Sequence, residues 1–168
     1  MVPGYVDLHC HVGTANFMAV NDLNDLTNLV NPGLRASCAV TPSNHPLKVA
    51  VAGGVTTVLL IPGSGSNIGG QGVLLKTGLD HYADALVRDP GSMKLAQSGN
   101  PERFHYLPRR TFMNWNTRNT FRRGLVYAAR WEAYEKHGGE RPDIDPQWEI
   151  FRALKKGETQ ISTHTQMY

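Results

Sequence analysis

Residues 54–61 constrain the fold most strongly, because they form an almost unbroken series of Val, Thr, Leu and Ile. A strand without polar alternation is expected where both faces of a parallel sheet are covered. Weaker strand patterns occur at residues 5–11, 92–97 and 160–165. Helical patterns lie between these strands, so the chain is predicted to build βα units around a parallel sheet.

Four helices are predicted, at residues 44–51, about 78–88, about 119–136 and 145–156. Pro46 lies in the first turn of the first helix, and Gly138 and Gly157 follow the ends of the third and fourth. Proline near a helix start and glycine just past its end are the favoured arrangement. Residues 62–72, which are rich in glycine, and residues 99–119 are predicted to be loops.

The composition predicts a soluble globular domain. A chain of 168 residues, 40% apolar and 18% charged, is long enough for one buried core. Neither a signal peptide nor an apolar run of roughly 20 residues is seen, so a cytoplasmic protein is expected. Cys10 and Cys38 are too few for a disulfide framework or a structural zinc site, and Cys10 is predicted to be a small buried hydrophobe.

The formal charge of +3 is a mild basic excess. Acidic residues share the basic region and no nucleic-acid-binding motif is present, so a solvated helix surface is favoured over a nucleic-acid partner. The clustered arginines are Arg109, Arg110, Arg118, Arg122, Arg123 and Arg130.

The most informative polar pattern is the strand segment at residues 6–11, which reads VDLHCH. Side chains alternate across a strand, so Asp7, His9 and His11 share one face and the three apolar residues the other. Two histidines on one face start roughly 6.6 Å apart. Both can then reach one divalent ion at about 2.0–2.1 Å per bond. A bare His-x-His pair is short and common, and a strand whose polar side faces solvent is its more frequent explanation.

Three segments together resemble the amidohydrolase superfamily. They are residues 2–11 (VPGYVDLHCH), residues 52–58 (AGGVTTV) and residues 161–165 (ISTHT). The first resembles the family's Pro-Gly, two apolar residues and D-x-H-x-H signature. The second resembles its second strand, and the third its fifth-strand histidine segment. The resemblance is strongest with the branch of imidazolonepropionase-like and dihydroorotase-like enzymes. It implies an α/β fold, a (β/α)8 TIM barrel, of which residues 1–168 would be a partial domain with about the first five βα units.

The resemblance also implies a metal site. His9, His11 and His164 would ligate one or two divalent ions, with zinc expected first although manganese, iron and nickel also suit imidazole ligands. Lys94 occupies a strand position where many members carry a carboxylated lysine that bridges two metals. A lysine in a short strand is also commonly a surface residue, and the direction of its side chain distinguishes the two interpretations.

The implied reaction is hydrolysis of an amide or cyclic amide C–N bond by a metal-activated water. The family's acid–base aspartate follows its eighth strand and is expected beyond Tyr168, so no catalytic residue is assigned in this sequence. The segment after the second strand lies where barrels build their active sites. Ser64, Asn67 and Gln71 are therefore predicted to bind a small-molecule substrate. A tight turn that needs glycine for its backbone would explain the same segment.

The length of the chain limits what it can do alone. A full barrel takes about 250 residues, so this chain would leave strand edges and an apolar face uncovered. We therefore expect it to associate with further copies or with the remainder of a barrel, and to need neither nucleic acid nor membrane. An alternative hypothesis is a non-catalytic half-barrel that binds a metal or a partner chain. The identity of the substrate stays open.

Overall fold

The structure, a computed structural model, describes residues 2–14, 24–105 and 108–165. Within these ranges five strands form a single sheet in the order β1-β2-β3-β4-β5. The strands are β1 (Tyr5–Cys10), β2 (Val55–Leu60), β3 (Ile68–Lys76), β4 (Leu86–Ser98) and β5 (Ile161–Thr165).

The helices of the described chain all lie between the first and the last of these strands in sequence. They are α1 (His45–Ala52), α2 (Tyr82–Ala85), α3 (Pro101–Phe104), α4 (Arg110–His137) and α5 (Glu149–Lys156), with a 3-10 turn at Ala36–Ala39. Asn44 caps α1 by accepting the Leu47 main-chain N–H at 2.9 Å, and Gly157 ends α5 in the left-handed conformation. Within the ranges above, no helix is long and apolar enough to cross a membrane.

The sheet is mixed rather than parallel throughout. β1 and β2 run parallel, as do β4 and β5, but β3 is antiparallel to both of its neighbours. The α/β class is confirmed, whereas an uninterrupted series of parallel βα units is wrong for residues 55–98. The glycine-rich segment predicted as a loop enters β3 instead. A Cβ at Gly72 would lie 2.7 Å from the Leu60 carbonyl oxygen, so glycine permits an approach that a side chain would block.

Two further predicted elements differ from the structure. The helix predicted at residues 78–88 shrinks to α2, because β4 begins at Leu86 and pairs with β3. Non-local strand pairing outweighs a local helical pattern here. α4 begins at Arg110, inside the loop predicted at residues 99–119, because Met113 and Asn116 bury one face of its first turns. Residues 106 and 107 of that predicted loop lie outside the described ranges.

The core consists of two apolar clusters. The first joins α1 and α2 to the first three strands and includes Leu47, Leu60 and Cys10, which confirms the prediction of a buried cysteine. The second packs α4 and α5 against β3 and β4 through Met93 and Phe151. Each helix layer therefore covers a different part of the sheet.

The outward face of β1 is uncovered by the described residues. Val6 and Leu8 are 56% and 59% exposed, although a barrel strand would pack them against helices. In the described chain α1 packs mainly on β2 and shares a core cluster with Cys10 of β1, but it leaves Val6 and Leu8 exposed. β1 lies at one edge of the sheet and β5 at the other. The expectation of an apolar face and two strand edges open to a partner agrees with this arrangement.

The sheet is strongly curved. β1 and β4 are separated by two strands, which in a flat sheet would place them roughly 14 Å apart. Yet His9 Nε2 on β1 lies 3.3 Å from Lys94 Nζ on β4. The sheet therefore curls into a barrel-like shape, and its concave side gathers side chains from distant strands.

The α4–α5 contact depends on the absence of a side chain at Gly124, because a Cβ there would overlap the Phe151 ring. Gly124→Ala is expected to lower the free energy of unfolding by about 1–3 kcal/mol through overpacking. Chemical denaturation followed by circular dichroism measures the change. Phe151→Leu in the same chain should recover part of the loss relative to the sum of the single variants. Additive losses would show that the two residues do not clash.

Candidate functional site

β1 presents the two histidines of the His-x-His pair at its carboxyl end. The His9 and His11 rings lie with centroids 5.3 Å apart and planes at 87°. Asp7 accepts the His9 main-chain N–H at 3.0 Å, which fixes the backbone between them. The structure therefore places both rings close together, as alternation along the strand predicts.

A main-chain carbonyl orients His11. His11 Nδ1 lies 2.8 Å from the Ile61 carbonyl oxygen, which can only accept a hydrogen bond. Nδ1 therefore carries the proton, and Nε2 keeps a free lone pair. Partial burial lowers the pKa of His11, with the nearby charge of Lys94 acting in the same direction, so the neutral ring is favoured.

Lys94 points to the concave side of the sheet rather than to solvent. Its side chain is 0% exposed, and its Nζ lies 3.3 Å from His9 Nε2. In the described part of the chain it forms no ion pair with a carboxylate. Burial lowers the pKa of Lys94 to about 8. A buried ammonium beside imidazoles is unfavourable, which indicates that Lys94 has a functional role rather than a packing role.

His164 approaches the same place from β5. It pairs in register with Ala96 of β4, two residues along from Lys94. Its Nε2 is buried and has no hydrogen-bond partner among the described residues. Burial, then the charges of Lys94 and His11, lower the pKa of His164. Burial lowers the pKa of His9 most, and the nearby charges of Lys94, His11 and His164 lower it further.

The four residues predicted as metal ligands thus lie on one side of the sheet. His9 lies on β1 and His11 directly after it, whereas Lys94 lies on β4 and His164 on β5. Their side chains are not arranged around an ion. Across the described ranges, no three His, Cys, Asp or Glu side chains are close enough to hold a metal. Ion binding would require the rings to close inwards and the Lys94 amine to move from His9 Nε2.

The three residues predicted to bind substrate are buried and already hydrogen-bonded. Asn67 donates to the Ala96 carbonyl at 2.9 Å and accepts from Asn116 at 2.7 Å. Gln71 donates to the Pro32 carbonyl at 2.9 Å, and Ser64 Oγ accepts from Asn100 at 2.8 Å. These bonds tie the glycine-rich segment to its surroundings, so a role in substrate binding stays a prediction.

Asn116 was not singled out in the sequence, although it is buried in α4 and bonded to Asn67. The segment that contains it looks irregular because aromatic and Asn residues interrupt its helical period. A signal was available in the spacing of Met113, Asn116 and Thr120, which repeats every three to four residues as one helix face does.

Comparison with known proteins gives two similarities, and no family model matches the chain. A fungal protein, amidohydrolase tasK of Hapsidospora irregularis, is 26% identical over 192 residues, which cover 98% of this chain and 20% of that protein. The crystal structure of an amidohydrolase from Thermotoga maritima superposes with a TM-score of 0.88 at 28% identity, covering 97% of this chain and 45% of that one.

The chain therefore spans about a fifth of one relative and less than half of the other. Both similarities extend over almost all of the chain, so they include the strands that carry His9, Lys94 and His164. The structural similarity agrees with the barrel-like curvature of the sheet. Both of these similar proteins are named amidohydrolases.

Proposed function

We propose that this chain forms the metal-binding part of a hydrolase that acts on the C–N bond of an amide or cyclic amide. The observation that carries the proposal is the convergence of His9, Lys94 and His164 from three separate strands onto one side of the sheet. A polar cluster of this kind in a curved sheet is poorly explained by packing, because buried polar groups are unfavourable without partners.

The residues fit a divalent ion in their chemistry. His164 Nε2 is a buried nitrogen without a hydrogen-bond partner in the described chain, and a metal ligand needs such a lone pair. His11 Nδ1 bonds to the Ile61 carbonyl, as the second nitrogen of a metal-bound histidine usually does. Zinc accepts this imidazole-rich set, and we propose it as the first ion to test.

A bound divalent ion would supply a hydroxide at neutral pH and polarise the scissile carbonyl. His9, His11 and His164 would hold that ion through neutral rings, which their lowered pKa values favour. Asp7 would keep His9 in place through its main-chain N–H. Lys94 has a pKa of about 8, so a minor share of its amine is neutral at pH 7. A neutral amine can add CO2 and release a proton, which would give the bridging carbamate that the resemblance implies.

The acid–base group of the reaction is proposed to come from a segment beyond Tyr168. Asp7 precedes His9 and His11 on the same strand, but its Oδ1 accepts the His9 main-chain N–H. A positioned acid–base residue contributes about 10²–10⁴-fold to a rate. We therefore expect the residues 1–168 alone to be much less active than a longer protein that contains them.

Hydrolysis assays test this function. The purified protein is offered a panel of hydantoins, dihydropyrimidines, lactams and N-acyl amides, and ring opening or amine release is followed. We expect slow turnover of at least one of these classes, its loss with a chelator, and its return with Zn²⁺. Turnover that is indifferent to chelation would contradict the proposal.

A second candidate is a non-catalytic half-barrel that binds a metal or a partner chain. The exposed apolar face of β1, with Val6 and Leu8, is the observation that favours it. Zinc binding by the protein without hydrolysis of any substrate class, together with stable self-association in sedimentation experiments, would support this second candidate over the first.

A further inference from the structure

A cleft away from the histidines runs along α4. It has a volume of about 1020 Å³ and lies between one face of α4 and the connection that leads to α5. Arg122, Arg123 and Arg130 line it from α4, and Arg141 lines it from the connection. Arg123 and Arg130 are seven residues apart and share one face of the helix, and Arg122 lines the edge of that face, so the three form a stripe. The lining from residue 119 to residue 137 extends about 27 Å along the axis.

The four arginines of the cleft lack carboxylate partners. On the flank of α4 that faces α5, by contrast, Glu132 and Glu135 bind three lysines and Arg152. None of the cleft arginines forms an ion pair in the described ranges, although Glu140 and Asp143 line the same cleft. The charges of α4 are therefore compensated on one flank and left available on the other.

Two of these arginines are held in place by aromatic rings. The Arg123 guanidinium lies 4.8 Å from the centroid of the Trp148 ring, and Arg141 lies 5.6 Å from that of Trp131. A guanidinium stacked on a ring keeps its in-plane N–H groups free to donate to a carboxylate or phosphate. Because stacking restricts these side chains beforehand, less conformational entropy is lost when an anion binds.

The shape of the cleft suits an extended chain better than a compact anion. Arg123 and Arg130 are seven residues apart on the helix, which separates them by about 10.5 Å along the axis. Side chains three residues apart share one face of an extended polyproline II peptide, where they are separated by about 9.3 Å. Val126 lies between the arginines and is 48% exposed, so it offers an apolar contact to the residues between two carboxylates.

We propose that this cleft binds an extended acidic segment of a partner protein, with acidic side chains about three residues apart. The carboxylates of Glu140, Asp143 and Asp145 line the same cleft and argue against nucleic acid, because a continuous chain of phosphates would be repelled by them. A peptide can place its carboxylates over the arginine stripe and an uncharged residue beside the acidic side chains of the cleft. This inference is independent of the proposed hydrolase, because no residue of the metal site lines the cleft.

The test uses a fluorescein-labelled peptide of about nine residues with glutamate at every third position and proline or leucine elsewhere, which favours the polyproline II conformation. Fluorescence anisotropy at low salt is expected to show binding that weakens as salt is added. Arg122→Gln combined with Arg130→Gln should weaken binding about tenfold, since these two arginines are exposed and make no other contact that folding needs. Arg110→Gln with Arg118→Gln, on the same helix but outside the cleft, should change it less than about twofold.

Four results would overturn the inference. One is the absence of binding by the acidic peptide, and another is equal weakening by the two double variants. The third is tighter binding of an oligothymidylate of matched length, which would assign the stripe to nucleic acid. A peptide with glutamine in place of glutamate should not bind, and its binding at equal strength would likewise show that charge does not direct the contact.

Discussion

Replacing His9 and His11 together with alanine is expected to lower the affinity of the protein for Zn²⁺ by at least about 100-fold. Losing even a group that supports a metal ligand costs about 10–100-fold in affinity, and this variant removes two direct ligands. The reason lies in the geometry: the rings are 5.3 Å apart, and His11 Nε2 is free because Nδ1 faces the Ile61 carbonyl. Competition with a chromophoric chelator measures the affinity.

His81→Ala is the matched control for this experiment, because His81 is exposed and precedes α2 away from the site. Its affinity for Zn²⁺ should equal that of the unmodified protein. His164→Ala should weaken binding in the same direction as the double variant, since its buried Nε2 has no other partner in the described chain. Equal zinc affinity in all of these variants would show that the ion binds elsewhere.

Replacing Lys94 with methionine is expected to stabilise the chelator-treated protein by about 3 kcal/mol at pH 7. Burial lowers the pKa of Lys94 from 10.5 to about 8, and each pKa unit corresponds to about 1.36 kcal/mol. Below pH 8 the amine is protonated in both the folded and the unfolded chain, so the full penalty of burying the charge is present. Methionine fills a similar volume without that charge.

The gain from Lys94→Met should depend on pH in a defined direction. As pH rises from about 8 to 10.5, the folded protein has lost its Lys94 proton while the unfolded chain still holds it. The stability of the unmodified protein therefore rises through this window, and the advantage of the variant fades. Urea denaturation at a series of pH values measures it, with exposed Lys48→Met as the control. A destabilised variant at pH 7, or a constant gain up to pH 10.5, would contradict the account.

Local signals in the sequence predicted the outer elements well. β1 and β5 lie within one residue of the predicted strands, because alternation in one and β-branched residues in the other are read along a single segment. α1 follows from the Asn44 cap and Pro46, and α5 ends where Gly157 takes the left-handed conformation. These features depend on residues that are neighbours in the chain, so they can be predicted without knowledge of the fold.

The middle of the chain was not predictable in the same way. β3 contains Gly69, Gly70 and Gly72, which give a strand no propensity of its own. It forms because β2 and β4 flank it and because a side chain at Gly72 would collide with Leu60. Such pairing is a property of the folded sheet, so no local periodicity in the sequence could have predicted it.

The candidate site was predicted in part. The positions of His9 and His11 followed from the strand period, whereas the approach of Lys94 and His164 rested on the family resemblance. Lys94 and His9 are 85 residues apart, and no pattern in the sequence relates them. Only the curvature of the folded sheet brings them together. The cleft arginines were read as a solvated surface, because the ion pairing of the opposite flank of α4 depends on α5 packing beside it.

X-ray absorption at the zinc edge tests the central claim most directly, namely that His9, His11, Lys94 and His164 form one metal site. The zinc-loaded protein is expected to show nitrogen ligands at about 2.0–2.1 Å with the outer-shell scattering of imidazole rings. That imidazole signal should fall by one ring in His164→Ala and stay unchanged in His81→Ala. An ion coordinated by oxygen alone, or an imidazole signal that His164→Ala leaves intact, would contradict the claim.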